Sequence, residues 1–197
     1  SLAVIALSLI HCGDAEQHQT ITVFAAASLT EAFEDLAEAF EDKHPDVTVR
    51  LSFAGSTALR TQLLEGAPAD VFVSASPDEV ATLAAAGLVI EAQSFAENTL
   101  VIAVGKGVMS VVSFADLADR GVRLVLAAEN VPAGRYARDS LTLAATDAAF
   151  GSEFVAQVLA NVRSNEANVR AALAKVELGE AEAAIVYSSD LRSAGEG

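Results

Sequence analysis

Basic residues are scarce in this 197-residue chain: 12 lysines and arginines stand against 27 aspartates and glutamates, for a formal net charge of -15. Such a chain lacks the positive face that releases counterions from a phosphate backbone, which argues against nucleic acid as a partner. The surplus carboxylates read as a solvated surface that keeps the protein soluble. Cys12 is the sole cysteine. No internal disulfide can therefore form, and Cys12 belongs to no metal-ligand spacing. Residues 2–10 form an apolar run broken only by Ser8, but a helix needs about 20 apolar residues to cross a bilayer. Internal repeats and low-complexity segments are lacking too. What remains is 52% hydrophobic, enough for one large domain or two small ones with real cores.

The apolar run at 2–10 has instead the length of a signal-peptide core, and Cys12 follows it directly. A thiol in that place resembles the lipid-attachment cysteine of bacterial lipoproteins, with residues 13–20 as a polar tether. His11 stands where such sites carry a small residue, and no basic segment precedes the run. An export signal cut nearby, with Cys12 incidental, is the competing reading. Either one places the mature protein in the periplasm or otherwise outside the cytoplasmic membrane.

From Thr20 onward strand-like runs alternate with amphipathic helical ones, which predicts an α/β fold with mostly parallel strands. Strands are expected at 21–25, 47–53, 71–73, 99–104, 123–127 and 183–187. Helices are expected from Leu29 to Phe40, where apolar residues recur at helical spacing, and at 57–65, 113–117, 134–144, 153–160 and 169–178. Ser76-Pro77-Asp78-Glu79 reads as a capping box with proline at the first helical position, opening a helix that Gly87 ends. A lobe boundary is placed before Thr99. This divides the chain into a leader and tether at 1–20, a first lobe at 21–98, a second at 99–189, and the start of a crossover at 190–197.

Small or hydroxyl residues stand at several strand-to-helix junctions: Ala27-Ser28-Leu29, Gly55-Ser56-Thr57, Pro132-Ala133-Gly134 and Asn168-Val169-Arg170. A helix start leaves backbone N–H groups unpaired and concentrates partial positive charge, so each junction can hold an anion. Ser28, with Glu31 three residues on, also fits a capping box. The two roles are compatible, because a hydroxyl can accept from the helix while donating to an anion. Arg135, Arg138 and Arg170 flank the second-lobe junctions and read as solvated helix-face residues. Tyr136 reads as a partly packed aromatic, and Asp70 as a residue that orients a loop.

Phe24-Ala25-Ala26-Ala27-Ser28-Leu29, Phe53-Ala54-Gly55-Ser56-Thr57 and Gly66-Ala67-Pro68-Ala69-Asp70-Val71-Phe72-Val73-Ser74-Ala75 resemble successive motifs of the periplasmic molybdate-binding proteins, a type II periplasmic binding protein family. The likeness continues through Val131-Pro132-Ala133-Gly134-Arg135-Tyr136-Ala137, Asn168-Val169-Arg170-Ala171-Ala172-Leu173 and Ile185-Val186-Tyr187-Ser188-Ser189-Asp190. The resemblance implies a two-lobed α/β fold that captures molybdate or tungstate and delivers it to the membrane permease of an ABC importer. It implies that Ser28 and Ser56 donate hydroxyl and backbone N–H, that Ala133 and Val169 donate backbone N–H, and that Tyr187 donates its phenol. No cofactor, free metal ion or catalytic residue is implied, and a monomer is expected. It also implies a C-terminal return to the first lobe, so the end at Gly197 is read as a truncation of that lobe.

A receptor of the same fold for sulfate, phosphate or an organic anion is the nearest alternative. A serine hydrolase is more remote: neither Ser28 nor Ser56 sits in a Gly-x-Ser-x-Gly elbow, and no histidine is placed beside either. A transcription-factor effector domain would need a DNA-binding helix pair, against which the leader-like start argues.

Overall fold

The structure, a computed structural model, describes residues 18–193; Cys12 and the rest of the leader lie outside the described residues, as do 194–197. Two sheets organise the chain, one on either side of a segment at 86–99 with neither helix nor strand.

The first sheet is wholly parallel. β1 (Gln19–Ala26) lies between β2 (Val47–Ala54) and β3 (Val71–Val73). Its register runs from Gln19 opposite Val47 to Ala26 opposite Ala54, and Val23 faces Val71. Val23, Ala25 and Val73 form the buried centre, against which Phe33, Val49, Leu51 and Phe53 pack. A 3-10 turn at Ala27–Leu29 leads into α1 (Thr30–Glu41). α2 (Ser56–Leu64) and α3 (Pro77–Ala85) follow β2 and β3. Gly66 and Gly87 take φ of +93° and +75°, the left-handed conformation that ends a helix and that a side chain would resist. Asp70 orients the start of β3: its carboxylate accepts from the Thr22 N–H at 2.8 Å, and its own N–H donates to the Thr22 carbonyl.

The second sheet has the order β4, β7, β5, β6, from β4 (Leu100–Val104), β5 (Leu124–Ala127), β6 (Val162–Glu166) and β7 (Ala183–Tyr187). Only β4 runs antiparallel to its neighbour. The central strands β5 and β7 are buried at every position, because helices cover both faces, and both therefore read as continuous apolar runs rather than alternating ones. On one face Leu124, Leu126, Ala183 and Ile185 pack with Leu141 of α4 (Pro132–Ala144) and Val158 of α5 (Phe154–Ala160). On the other, Val125, Ala127, Ala184 and Val186 meet Ala172, Leu173 and Val176 of α6 (Val169–Glu177). A fully buried leucine such as Leu126 or Leu141 contributes about 1.5–3 kcal/mol through removal from water.

Two elements escape the sequence pattern. β6 was not foreseen, because Val-Arg-Ser-Asn-Glu is polar; as an edge strand it needs only one partner and one half-buried face. α7 (Ser188–Ser193) likewise carries little apolar residue content. The segment expected as a helix at 113–117 is a 3-10 turn at Ala115–Ala118.

Two capping expectations are corrected. Ser28 lies inside the 3-10 turn and Leu29 is the N-cap of α1, with no side-chain cap bond, so the box with Glu31 does not form. Ser76 does cap α3, accepting from the Asp78 N–H at 3.3 Å, but Glu79 does not close the box. Its carboxylate turns instead to Arg60, 2.8 Å away. An ion pair with a guanidinium outcompetes a backbone N–H for a buried carboxylate.

Candidate anion-binding cleft

Parallel strands place their carboxyl ends on one side of a sheet, and ligands of open α/β sheets sit in the crevice outside those ends. Here the two sheets turn those ends toward each other. Ser28 follows β1, Ser56 follows β2, Ala133 follows β5 by way of a short loop, Val169 follows β6, and Tyr187 ends β7. All five line a single small cavity that is partly open to solvent, together with Ala26, Ala27, Gly55, Ala75, Val131, Pro132 and Asn168. None of these lining residues carries a charge.

Three of the five stand in the first turn of an α-helix. Ser56 is the first residue of α2, Ala133 the second of α4, and Val169 the first of α6. First-turn N–H groups have no partner within their own helix and sit at the positive end of its dipole. The Asn168 side chain accepts from the Ala171 N–H at 2.9 Å, which satisfies one such donor and leaves the neighbouring ones for the cleft. Pro132 at the start of α4 sets the helical φ without an N–H of its own. Gly134 lets this helix lie against the end of β5: a Cβ there would come within 2.1 Å of the Ala128 carbonyl oxygen and 2.3 Å of that of Ala127.

The side-chain donors are prepared by their partners. Ser56 is 1% exposed, and its hydroxyl oxygen accepts from the Ala75 N–H at 3.0 Å. The hydroxyl proton is thereby left to point into the cavity. The Tyr187 phenol oxygen is buried with no hydrogen-bond partner among the described residues. Burial foremost, then the nearby Tyr136 and Asp190, pushes its pKa well above the ordinary tyrosine value, so the phenol stays a donor. A buried O–H without an acceptor costs about 1–3 kcal/mol, which an oxyanion in the cleft would offset.

The flanking arginines are not the solvated residues the sequence suggested. The Arg135 guanidinium donates to Ser76 Oγ at 2.9 Å and to Asp78 at 3.2 Å, reaching from the second sheet's helix to the first sheet's α3. Arg138 donates to the carbonyls of Ala127 and Gly134 and to Asn165 Oδ1. Arg170 pairs with Glu31 of α1 and lies 3.1 Å from Asp190. Fully buried Asp190 also accepts from the Tyr187 N–H at 2.9 Å. Burial, only partly opposed by that N–H and by Arg170, raises the Asp190 pKa to about 6. Sequence reasoning gave these ion pairs no place, since Arg135–Asp78 and Arg170–Glu31 join residues more than 50 positions apart and Arg170–Asp190 bridges α6 and α7; the one local signal was Asp190, three residues beyond a strand-ending tyrosine. Tyr136 is a packed aromatic, with the Arg135 guanidinium 5.5 Å from its ring centre. The histidines among the described residues serve other contacts: His18 bonds Thr48 at 2.6 Å, and His44 lies against the Phe40 ring.

Comparisons with known proteins bear on the family and the fold. The chain is 38% identical over 183 residues to the molybdate-binding protein ModA of Mycobacterium tuberculosis (strain ATCC 25618 / H37Rv), covering 92% of this chain and 66% of that protein. It is 32% identical over 180 residues to the putative ABC transporter substrate-binding lipoprotein YvgL of Bacillus subtilis (strain 168), covering 90% and 66%. The chain thus spans slightly less than two thirds of these relatives' length. The solved periplasmic molybdate-binding protein of Azotobacter vinelandii shares the fold, with a TM-score of 0.70 at 23% identity over 85% of this chain and 71% of that one. The family of bacterial extracellular solute-binding proteins matches residues 21–197. With a two-sheet α/β fold, a cleft of convergent donors between the sheets and a family match across both, this chain belongs to the bacterial extracellular solute-binding proteins.

Proposed function

We propose that this protein captures molybdate, or the isosteric tungstate, between its two lobes and delivers it to an ABC importer. The observation that carries the reading is the lining of the cleft: Ser28, Ser56, Ala133, Val169 and Tyr187 converge as neutral donors, with no charged side chain among the lining residues. A tetrahedral dianion only accepts hydrogen bonds, and hydroxyls, phenol and first-turn N–H groups supply them. About seven such bonds, at ~1.5–3 kcal/mol each, give on the order of 10–20 kcal/mol before the costs of desolvation and closure. The lining also disfavours phosphate, which retains a proton for part of the population at neutral pH and then needs an acceptor. Ser56 Oγ and Asn168 Oδ1 each already accept one bond, from the N–H groups of Ala75 and Ala171. The identity to a molybdate-binding relative selects within the remaining dianions.

On this reading the protein binds and releases its ligand without turning it over, as a monomer outside the cytoplasmic membrane. Cys12 is the point of lipid attachment; mass spectrometry of the cell-derived protein would show the acyl chains, and an unmodified thiol would refute the anchor. The main test is isothermal titration of purified protein with molybdate, tungstate, sulfate and phosphate. Molybdate and tungstate are expected to bind alike and more tightly than sulfate. Sulfate binding as tight as molybdate binding would overturn the assignment.

A further inference from the structure

We propose that Glu31, Arg170 and Asp190 form a relay across the cleft that fastens the lobes together and slows release of the bound anion, Glu31 and Asp190 acting as positioning residues.

The three stand at the edge of the cleft, each within three residues of a proposed donor. Glu31 is in the first turn of α1, three residues after Ser28; Arg170 directly follows Val169; Asp190 is three residues after Tyr187. The Arg170 Nη2 donates to Glu31 in the first lobe, while its Nε faces Asp190 Oδ1 at 3.1 Å in the second. The other Asp190 oxygen, Oδ2, accepts from the Tyr187 N–H at 2.9 Å. The chain of contacts therefore runs from the turn that carries Ser28, through the helix start that carries Val169, to the backbone of the phenol donor.

The burial pattern divides the relay into a fixed part and an arriving part. Asp190 is 0% exposed and the Arg170 side chain 22%, whereas the Glu31 side chain is 46% exposed. The second lobe keeps the Asp190 charge paired by itself, since leaving a buried carboxylate alone is costly. The Nε–Oδ1 contact is an ion pair by proximity, with no hydrogen bond between the two atoms; it keeps the guanidinium beside Asp190 while Nη2 reaches a second carboxylate, a division that the single ammonium of a lysine cannot reproduce. Glu31 meets Nη2 only when the lobes are together. The approach is close there: a Cβ on Gly55 would lie 2.6 Å from the Ala167 carbonyl oxygen across the same junction. Arg170 is thus an anchor for closure rather than a ligand, and being beyond the cavity lining it leaves the anion to neutral donors.

The proposal rests on the oxyanion reading of the cleft, and its test keeps the two apart. Molybdate association and release would be followed by stopped flow on the intrinsic fluorescence of Tyr136 and Tyr187 in wild type, Glu31→Gln, Arg170→Lys, Asp190→Asn and the Glu31→Gln/Asp190→Asn double variant. Glu31→Gln is expected to raise the release rate roughly threefold to tenfold, in keeping with a partly exposed ion pair held by a fixed arginine. The association rate and the unfolding temperature of the ligand-free protein should stay near wild type. Arg170→Lys should release faster as well, because one ammonium cannot serve both carboxylates in this geometry. In the Asp190→Asn background the effect of Glu31→Gln should shrink to less than about twofold, since an Arg170 no longer held by Asp190 makes only a loose surface pair. Wild-type release rates in Glu31→Gln or Arg170→Lys, or effects of Glu31→Gln and Asp190→Asn that simply multiply, would overturn the relay while leaving the molybdate reading intact. Wild-type protein that takes up neither molybdate, tungstate nor sulfate would overturn both.

Discussion

Replacing Tyr187 with phenylalanine removes one oxygen and nothing else, and the structure assigns that oxygen opposite effects in two states of the protein. Without ligand the phenol is buried and has no hydrogen-bond partner among the described residues. No contact with another described residue returns its desolvation cost of about 1–3 kcal/mol, so the phenylalanine variant should unfold at the same temperature as wild type or higher. On the proposed function the bound dianion accepts from the same group, a contact of about 1.5–3 kcal/mol. Losing it should weaken binding by roughly 10- to 150-fold, at 1.36 kcal/mol per factor of ten. Titration calorimetry with molybdate and thermal unfolding of the ligand-free protein give the two numbers. A variant that binds as tightly as wild type would show that Tyr187 does not touch the anion. A variant that is less stable without ligand would show that the phenol has a structural partner, and the reasoning would fail at its first step.

Gly55→Ala should leave each lobe folded, because φ of -60° and ψ of 135° at this residue suit alanine, yet the new Cβ would meet the Ala167 carbonyl across the cleft at 2.6 Å; binding is expected to fall at least tenfold with little change in unfolding temperature, and unchanged affinity would refute closure at this contact. Gly134→Ala places a Cβ 2.1 Å from the Ala128 oxygen inside one lobe, so it should cost about 1–3 kcal/mol or more of stability, seen as a lowered denaturation midpoint. The folded-state pKa of Asp190, raised to about 6 from 3.8, means that the folded protein binds this proton more tightly than the unfolded chain does. The contribution of Asp190 to stability is therefore greatest at low pH and declines between about pH 4 and 6. Asp190→Asn should remove that decline, and denaturation curves of the two proteins that keep a constant separation from pH 4 to 7 would contradict the assignment.

The sequence by itself determined most of the secondary structure, which rests on local chemistry, and its helix-start junctions and family resemblance pointed to five residues that the fold brings to one cavity. An apolar run such as Ala-Ala-Ile-Val-Tyr at 183–187 is readable as a buried strand, and it spans the bounds of β7. The junctions around Ser28, Ser56, Ala133 and Val169 are readable because helix starts favour small and capping residues. Local chemistry also misled where long-range partners were stronger. Glu31 and Glu79 stand three residues after serines, as capping boxes require, yet both pair with arginines distant in sequence, Arg170 and Arg60. Arg135 and Arg170 looked like solvent-facing helix residues until the folded chain brought first-lobe carboxylates within reach. β6 was invisible because an edge strand's stability comes from its neighbour β5, not from its own residues. What only the tertiary structure decided is the convergence itself. Five donors spread from Ser28 to Tyr187 line one uncharged cavity because parallel strands deliver their carboxyl ends to one side, and the ion pairs around that cavity are set by how the two sheets face each other.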